Sequence, residues 1–179
     1  MVVAQVFLGL GSNLSPKENI VKALTSLKKI GEINRISTVF ECAAVGFDGP
    51  DFWNLVISLS TDLSVEDLHE RLRTIEYQHG RPENAKKFSN RHLDIDILLF
   101  DDKVGEFAGV SLPRDEITYH AFVLKPLAEI FSEGVHPELG FTYRSLWLSY
   151  SGSEQLSPEY EFTHRLKKEF LSVNLSLTA

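Results

Sequence analysis

Asp94 and Asp96 stand one residue apart inside an otherwise apolar run, Leu93 to Phe100. Side chains on a strand repeat with a period of two, so both carboxylates point to one face. Side by side in apolar surroundings they repel each other and lose hydration unless something positive lies between them. A divalent cation meets that need, and Mg²⁺ characteristically takes one or two carboxylates together with substrate phosphates. The same spacing also suits two solvated carboxylates at a sheet edge. Immediately upstream lie Arg81, Lys86, Lys87 and Arg91. A metal that orients phosphate oxygens, with arginines stabilising charge on bridging and leaving oxygens, is what phosphoryl-type transfer requires. The alternative for this stretch is a solvated charged loop, kept polar by Glu83, Asn84 and Ser89.

Two further stretches carry candidate chemistry. Gly11-Ser12-Asn13 follows an apolar run and could bring backbone N–H groups close to a phosphate. It matches neither a Walker loop nor G-x-G-x-x-G, and an ordinary turn fits it as well. The segment Cys42 to Asn54 mixes small residues with Phe47, Phe52, Trp53 and Asn54. An aromatic ring and a side-chain amide can stack on a flat heterocycle and read its edge, although Phe52 and Trp53 equally suit a core.

These residues need a scaffold. Val2 to Leu10 reads as a buried strand, followed by a helix with Ser15 as N-cap and Pro16 at its first position, running to about Ile30. Glu32 to Glu41 reads as one strand. Phe52 to Ser60 reads as another, with Trp53, Leu55, Ile57 and Leu59 on one face. Ser64 caps a helix from Val65 to about His79, ended by Gly80. Leu93 to Phe100 is the next strand, and His120 to Phe131 a helix with Ala121, Leu124, Leu127 and Ala128 inward. The order strand, helix, strand, strand, helix, strand predicts an α+β fold. It is a ferredoxin-like split βαβ sandwich with an antiparallel sheet and flanking helices. Residues 1–150 form the main domain. From Ser151 the chain turns polar, and 151–179 is expected to be a C-terminal extension with a docked helix over Glu161 to Leu171.

Composition narrows the function classes. The chain has 179 residues, about one domain, and needs neither metal nor disulfide to fold. Lys plus Arg total 18 against 25 Asp plus Glu, so the net charge of −7 argues against a broad nucleic-acid surface. A single cysteine, Cys42, suits a reducing compartment. No run approaches the ~18 apolar residues of a membrane span, and the N-terminus lacks a basic n-region. A cytoplasmic protein is expected, with no nucleic-acid or membrane partner.

With these pieces in order, the chain resembles the 6-hydroxymethyl-7,8-dihydropterin pyrophosphokinases. The resemblance spans roughly Val3 to Pro137. It rests on G-L-G-S-N-L (Gly9 to Leu14), G-x(5)-F-W-N (Gly46 to Asn54) and I-E-x(3)-G-R (Ile75 to Arg81). R-H-L-D-I-D-I-L-L-F (Arg91 to Phe100) and A-F-V-L-K-P-L-A-E-I (Ala121 to Ile130) complete it. The resemblance implies transfer of diphosphate from ATP to the pterin hydroxymethyl group, releasing AMP, in folate biosynthesis. Asp94 and Asp96 would hold two Mg²⁺ ions, and Arg81 and Arg91 would be the catalytic loop arginines. Glu76, Lys87, Ile97, Arg114 and His120 would lie on the nucleotide side. Phe52 and Phe122 would sandwich the pterin, Asn54 would read its polar edge, and Cys42 and Val45 would add contacts.

The chain also departs from that pattern. Ser89-Asn90 replaces the usual Gly-Pro, Phe88 the usual Trp, and Cys42-Ala43 the usual Thr/Ser-Pro. Arg114 stands where His is usual and His120 where Arg is usual, and the two side chains are not equivalent in charge or shape. These departures motivate an alternative, a divergent paralogue with altered pterin preference or little turnover. A nucleotidyltransferase built on Gly11-Ser12 and the aspartates is a third reading, opposed by the roughly eighty residues between them.

Overall fold

The computed structural model describes residues 2–80 and 89–171. Five strands and two helices build the main layer: β1 (Ala4–Ser12), α1 (Pro16–Leu27), β2 (Glu32–Ile36), β3 (Phe40–Cys42), β4 (Phe52–Thr61), α2 (Val65–Gln78) and β5 (Asp94–Phe100). A hairpin follows, β6 (Gly105–Phe107) and β7 (Val110–Leu112), then a 3-10 turn (Asp115–Thr118). The chain ends through α3 (Ala121–Ile130), α4 (Tyr143–Leu148), β8 (Ser157–Pro158) and α5 (Tyr160–Phe170). The large sheet runs β5-β1-β4-β3-β8, with β2 also on β4, and its pairings are antiparallel. With β2 and β3 taken as one interrupted strand, this is the expected split βαβ arrangement.

Period two sorts the strands. Leu8, Leu10, Leu55, Ile57, Leu59, Ile95 and Ile97 face α1, α2 and α5 in the larger core, which also takes Trp53 and Phe162. Phe7, Val56, Leu98 and Leu99 face the other way, against α3 and α4. Each fully buried Leu or Ile contributes roughly 1.5–3 kcal/mol, so a slip of one residue in either face is prohibitive. One bulge is built in: Phe7 pairs with Leu99 and Leu8 with Ile97, so Leu98 is the extra residue. It lets β5 carry Asp94, Asp96, Leu98 and Leu99 on one face and then turn Phe100 back into the larger core.

The local signals succeed in part. Ser64 caps α2, accepting the Asp67 N–H at 3.0 Å, and Gly80 takes φ +88° just past its end. Ser15 does not cap α1. It adopts a left-handed φ of 47°, and its hydroxyl forms no cap bond among the described residues. The cause is non-local: the Asn13 and Leu14 N–H groups both donate to the Arg91 carbonyl, at 3.0 and 3.2 Å, and this fixes the turn before the helix. The single strand expected over 32–41 is broken at Ser37 to Val39. There Thr38 N–H donates to Glu129 and Val39 N–H to the Thr163 hydroxyl. Phe162, Leu166 and Phe170 of α5 join the larger core.

Candidate active site

Beyond α3 and α4, the second face of the sheet forms the floor of a cleft of about 400 Å³. Register places its floor in rows. Asn54 on β4 pairs with Gly11 on β1, which pairs with Asp94 on β5; one step along, Val56, Gly9 and Asp96 do the same. Strands lie about 4.8 Å apart, so the glycines leave a gap of roughly 10 Å between the amide row and the carboxylate row. A Cβ on Gly11 would come within 2.9 Å of Asn54 Oδ1. Gly11→Ala is therefore expected to fold normally yet weaken binding of a flat ligand at Asn54 by roughly tenfold, by pushing the amide from its place. Equilibrium titration against the wild-type chain measures it, and equal affinities would show that Gly11 is only a strand residue.

On the amide side, Cys42 pairs with Phe52 across β3 and β4, and Asn54 Nδ2 donates to Cys42 Sγ at 3.2 Å. Burial first, then the charge of Glu154, pushes the Cys42 thiol up to about 12 from an ordinary 9.0. The unfolded chain loses this proton near pH 9 and the folded chain does not. Stability should thus fall as pH rises from about 9 toward 12, and the native thiol should resist iodoacetamide at neutral pH. Rapid alkylation of the folded protein, followed by mass spectrometry, would contradict that environment. Phe52 meets Phe47 edge-on, with ring centroids 6.2 Å apart. Val45 and Phe122 complete this end of the cleft, whereas Trp53 turns into the core against Phe162.

On the carboxylate side, burial and the neighbouring Asp94 charge raise the Asp96 carboxyl to about 6, despite the opposing pull of Arg114. Arg114 Nη2 lies 3.1 Å from Asp96 Oδ1, and its Nε donates to Glu116 at 2.6 Å. Burial works against the Arg114 charge, but Asp96 and Glu116 outweigh it and raise its pKa further. Arg91 reaches the cleft from the strand entrance, its Nη1 donating to the Ser89 hydroxyl. His120 closes the wall between Arg114 and Phe122 and stacks on Phe122 at 4.6 Å.

The structure thus brings Arg91, Asp94, Asp96, Arg114 and His120 into one cleft with Cys42, Val45, Phe52, Asn54 and Phe122. Arg81 and Lys87 lie outside the described residues. Two expected residues point elsewhere. The Ile97 side chain is buried on the opposite face, because it sits one residue out of phase with Asp96. Glu76 is buried beneath the strand: its Oε1 accepts the Ile95 N–H at 2.8 Å, and its Oε2 pairs with Arg73 at 3.1 Å. It holds the peptide between the two aspartates. Gly11-Ser12-Asn13 is likewise a fastening. Asn13 donates to the Pro50 carbonyl and Asn90 Oδ1 and accepts the Arg91 N–H, tying three loops at one buried residue. Sequence reading passed over Arg73 and Glu116, both of which line the cleft. Their signal was spacing, one helical turn from Glu76 and two residues from Arg114.

The family described as 7,8-dihydro-6-hydroxymethylpterin-pyrophosphokinase (HPPK) matches residues 7–132. The "2-amino-4-hydroxy-6-hydroxymethyldihydropteridine pyrophosphokinase" of Aquifex aeolicus is 36% identical over 137 residues, covering 75% of this chain and 85% of that one. The protein of the same name from Synechocystis is 34% identical over 138 residues, covering 75% and 70%. In fold, the chain is similar to a Plasmodium falciparum HPPK-DHPS structure, with a TM-score of 0.65 at 14% identity. That match covers 94% of this chain and 47% of the solved one, so the chain spans about half the length of that relative. With a matched region that contains both the amide row and the carboxylate row of the cleft, the chain belongs to the HPPK family.

Proposed function

We propose that this protein transfers the β,γ-diphosphoryl unit of ATP to the hydroxymethyl oxygen of 6-hydroxymethyl-7,8-dihydropterin, giving AMP and the pterin diphosphate for folate biosynthesis. The observation that carries this reading is the juxtaposition of Asn54 and Asp94 across Gly11 on the floor of one cleft. Asn54 has its Nδ2 engaged by Cys42, so its Oδ1, over Gly11, is the atom offered to N–H donors on the ring edge. Phe52 and Phe122 supply apolar walls for the ring faces.

Asp94 and Asp96 are the residues that would hold magnesium. Both carboxylates share the cleft face, burial and the Asp94 charge raise the Asp96 carboxyl, and Arg114 lies 3.1 Å from Asp96. Among the described residues no group of three His, Cys, Asp or Glu side chains forms a closed metal cage. Two carboxylates suit an ion that completes its shell with phosphate oxygens and water. When bound, magnesium neutralises the triphosphate and aligns it for attack. Arg114 stands beside Asp96 and Arg91 lines the same cleft, where negative charge grows on the α,β-bridging oxygen as the pterin hydroxyl gives its proton to solvent, its oxygen bonds to Pβ and AMP leaves. By motif position, Arg81 and Lys87 belong to the expected set of catalytic and nucleotide-side cations, and both lie outside the described residues. The lone Cys42 suits a cytoplasmic setting. Among the described residues no helix is long and apolar enough to cross a membrane.

Incubation with ATP, magnesium and the hydroxymethyl pterin, followed by nucleotide separation, tests the reading: AMP is expected, with neither ADP nor pyrophosphate. Pyrophosphate release would instead favour nucleotidyl transfer. A pterin binder with altered preference is favoured by one observation, the engagement of Arg114 with Asp96 and Glu116. Calorimetric pterin binding without AMP formation would mark it.

A further inference from the structure

The segment after α4 packs behind the cleft wall, where Tyr150 and Glu154 meet residues 119–121. Glu154 Oε1 lies 2.8 Å from His120 Nδ1, and its Oε2 accepts the Ala121 N–H at 2.6 Å. The Tyr150 hydroxyl donates to the same Oε2. We propose that Glu154 is a positioning residue of the substrate site, fixing His120 and the first turn of α3 so that the stacked His120–Phe122 pair forms a rigid wall for the heterocycle. This inference rests on the pterin reading above, and it lies outside residues 7–132, the stretch the family match covers.

Four observations support it. First, α3 starts at Ala121, the side chain of the preceding His120 provides no cap among the described residues, and Glu154 caps the helix from 33 residues away by accepting the Ala121 N–H. A carboxylate there also meets the positive end of the helix dipole. Second, an imidazole whose Nδ1 faces a carboxylate carries its proton on that nitrogen and turns Nε2 outward, so the ring has one orientation. Third, His120 lies between Tyr119, at 4.7 Å, and Phe122, at 4.6 Å and 25°, so its orientation is passed to the ring that lines the cleft. Fourth, Tyr150, stacked on Trp147 at 5.6 Å, holds the carboxylate through its hydroxyl, so Glu154 is itself fixed in place. An arginine in place of His120 would bring its own charge and fork, whereas a histidine depends on a neighbour to set its tautomer.

Glu154→Ala should raise the dissociation constant for the pterin roughly tenfold, the loss expected for a charge-assisted hydrogen bond. Affinity for ATP, whose side of the cleft also holds Arg91 and Arg114, should fall less than pterin affinity, a split that general destabilisation would not produce. Tyr150→Phe, which removes the hydroxyl's contacts with Glu154 Oε2 and the Tyr119 carbonyl but keeps Glu154, should give a smaller change of about two- to threefold. Pterin affinity within twofold of wild type in Glu154→Ala would overturn the proposal. Should that variant fail to fold, Glu154→Gln decides. Its amide keeps the Ala121 contact but presents N–H to His120, so long-range ¹H–¹⁵N correlation at about pH 8 should show the imidazole proton moved from Nδ1 to Nε2. An unmoved proton overturns the proposal. That readout needs no ligand, so a wild-type chain that binds no pterin would sink the functional reading while leaving the tautomer measurement to judge Glu154.

Discussion

Asp96→Ala should lower the rate of AMP formation by on the order of 10³-fold or more while leaving the protein folded. The Asp96 side chain is about a third exposed at the cleft floor, opposite Gly9, and the packed faces of the sheet do not depend on it. Its contribution to folding is unfavourable at neutral pH. Burial and Asp94 raise its carboxyl to about 6 from an ordinary 3.8, so the folded state resists an ionisation that the unfolded chain undergoes readily. Stability assigned to this group therefore declines as pH climbs from about 4 through 6, and Asp96→Asn should melt no lower than wild type at pH 7. Activity and stability thus move apart, the pattern of a side chain placed for chemistry. Kinetics of AMP release alongside thermal melts measure both. Near-normal turnover in Asp96→Ala would remove the basis for placing magnesium at this pair.

Glu76→Ala should do the reverse, damaging the fold first and turnover through it. The Glu76 carboxylate is 1% exposed and accepts the Ile95 N–H at 2.8 Å while pairing with the half-exposed Arg73. Alanine leaves that N–H without its acceptor and opens a cavity beneath β5. A loss of about 2–4 kcal/mol follows, or roughly 5–12 °C in melting temperature for a chain of this size. Ile95 lies between Asp94 and Asp96, so loosening its peptide spoils the register of both carboxylates, and AMP formation should fall although Glu76 lines no part of the cleft. Glu76→Gln, which keeps an acceptor, should retain most of the stability. Denaturant titration distinguishes these outcomes; an unshifted midpoint in Glu76→Ala would mean that the Ile95 contact carries no net stability.

The two carboxylates were readable from their spacing because strand periodicity is local: Asp94, Ile95, Asp96 and Ile97 alternate between faces whatever lies around them. Local chemistry also marked α2, from its Ser64 cap to Gly80, and the apolar stripe of α3. The same rule that placed Asp96 in the cleft excludes the Ile97 side chain from it. Glu76 was legible as important through its motif, but its role was not, since a glutamate on a helix looks alike whether it meets a nucleotide or a backbone amide. Ser15 failed as a cap because the preceding turn is held by Arg91, nearly eighty residues away.

By itself, then, the sequence determined the order and faces of the elements and the paired aspartates, which follow from interactions within a few residues. The aromatic and amide residues of the opposite row were singled out by the family resemblance. Only the tertiary structure decided that Asn54 and Asp94 share a floor across a glycine and that Asn13 fastens three loops. It also decided that Arg114 meets Asp96 and that Glu154 holds His120. Those partners are separated by 18 to 78 residues, and which of many compatible side chains meet is set by sheet register and helix packing, to which short-range propensities are blind.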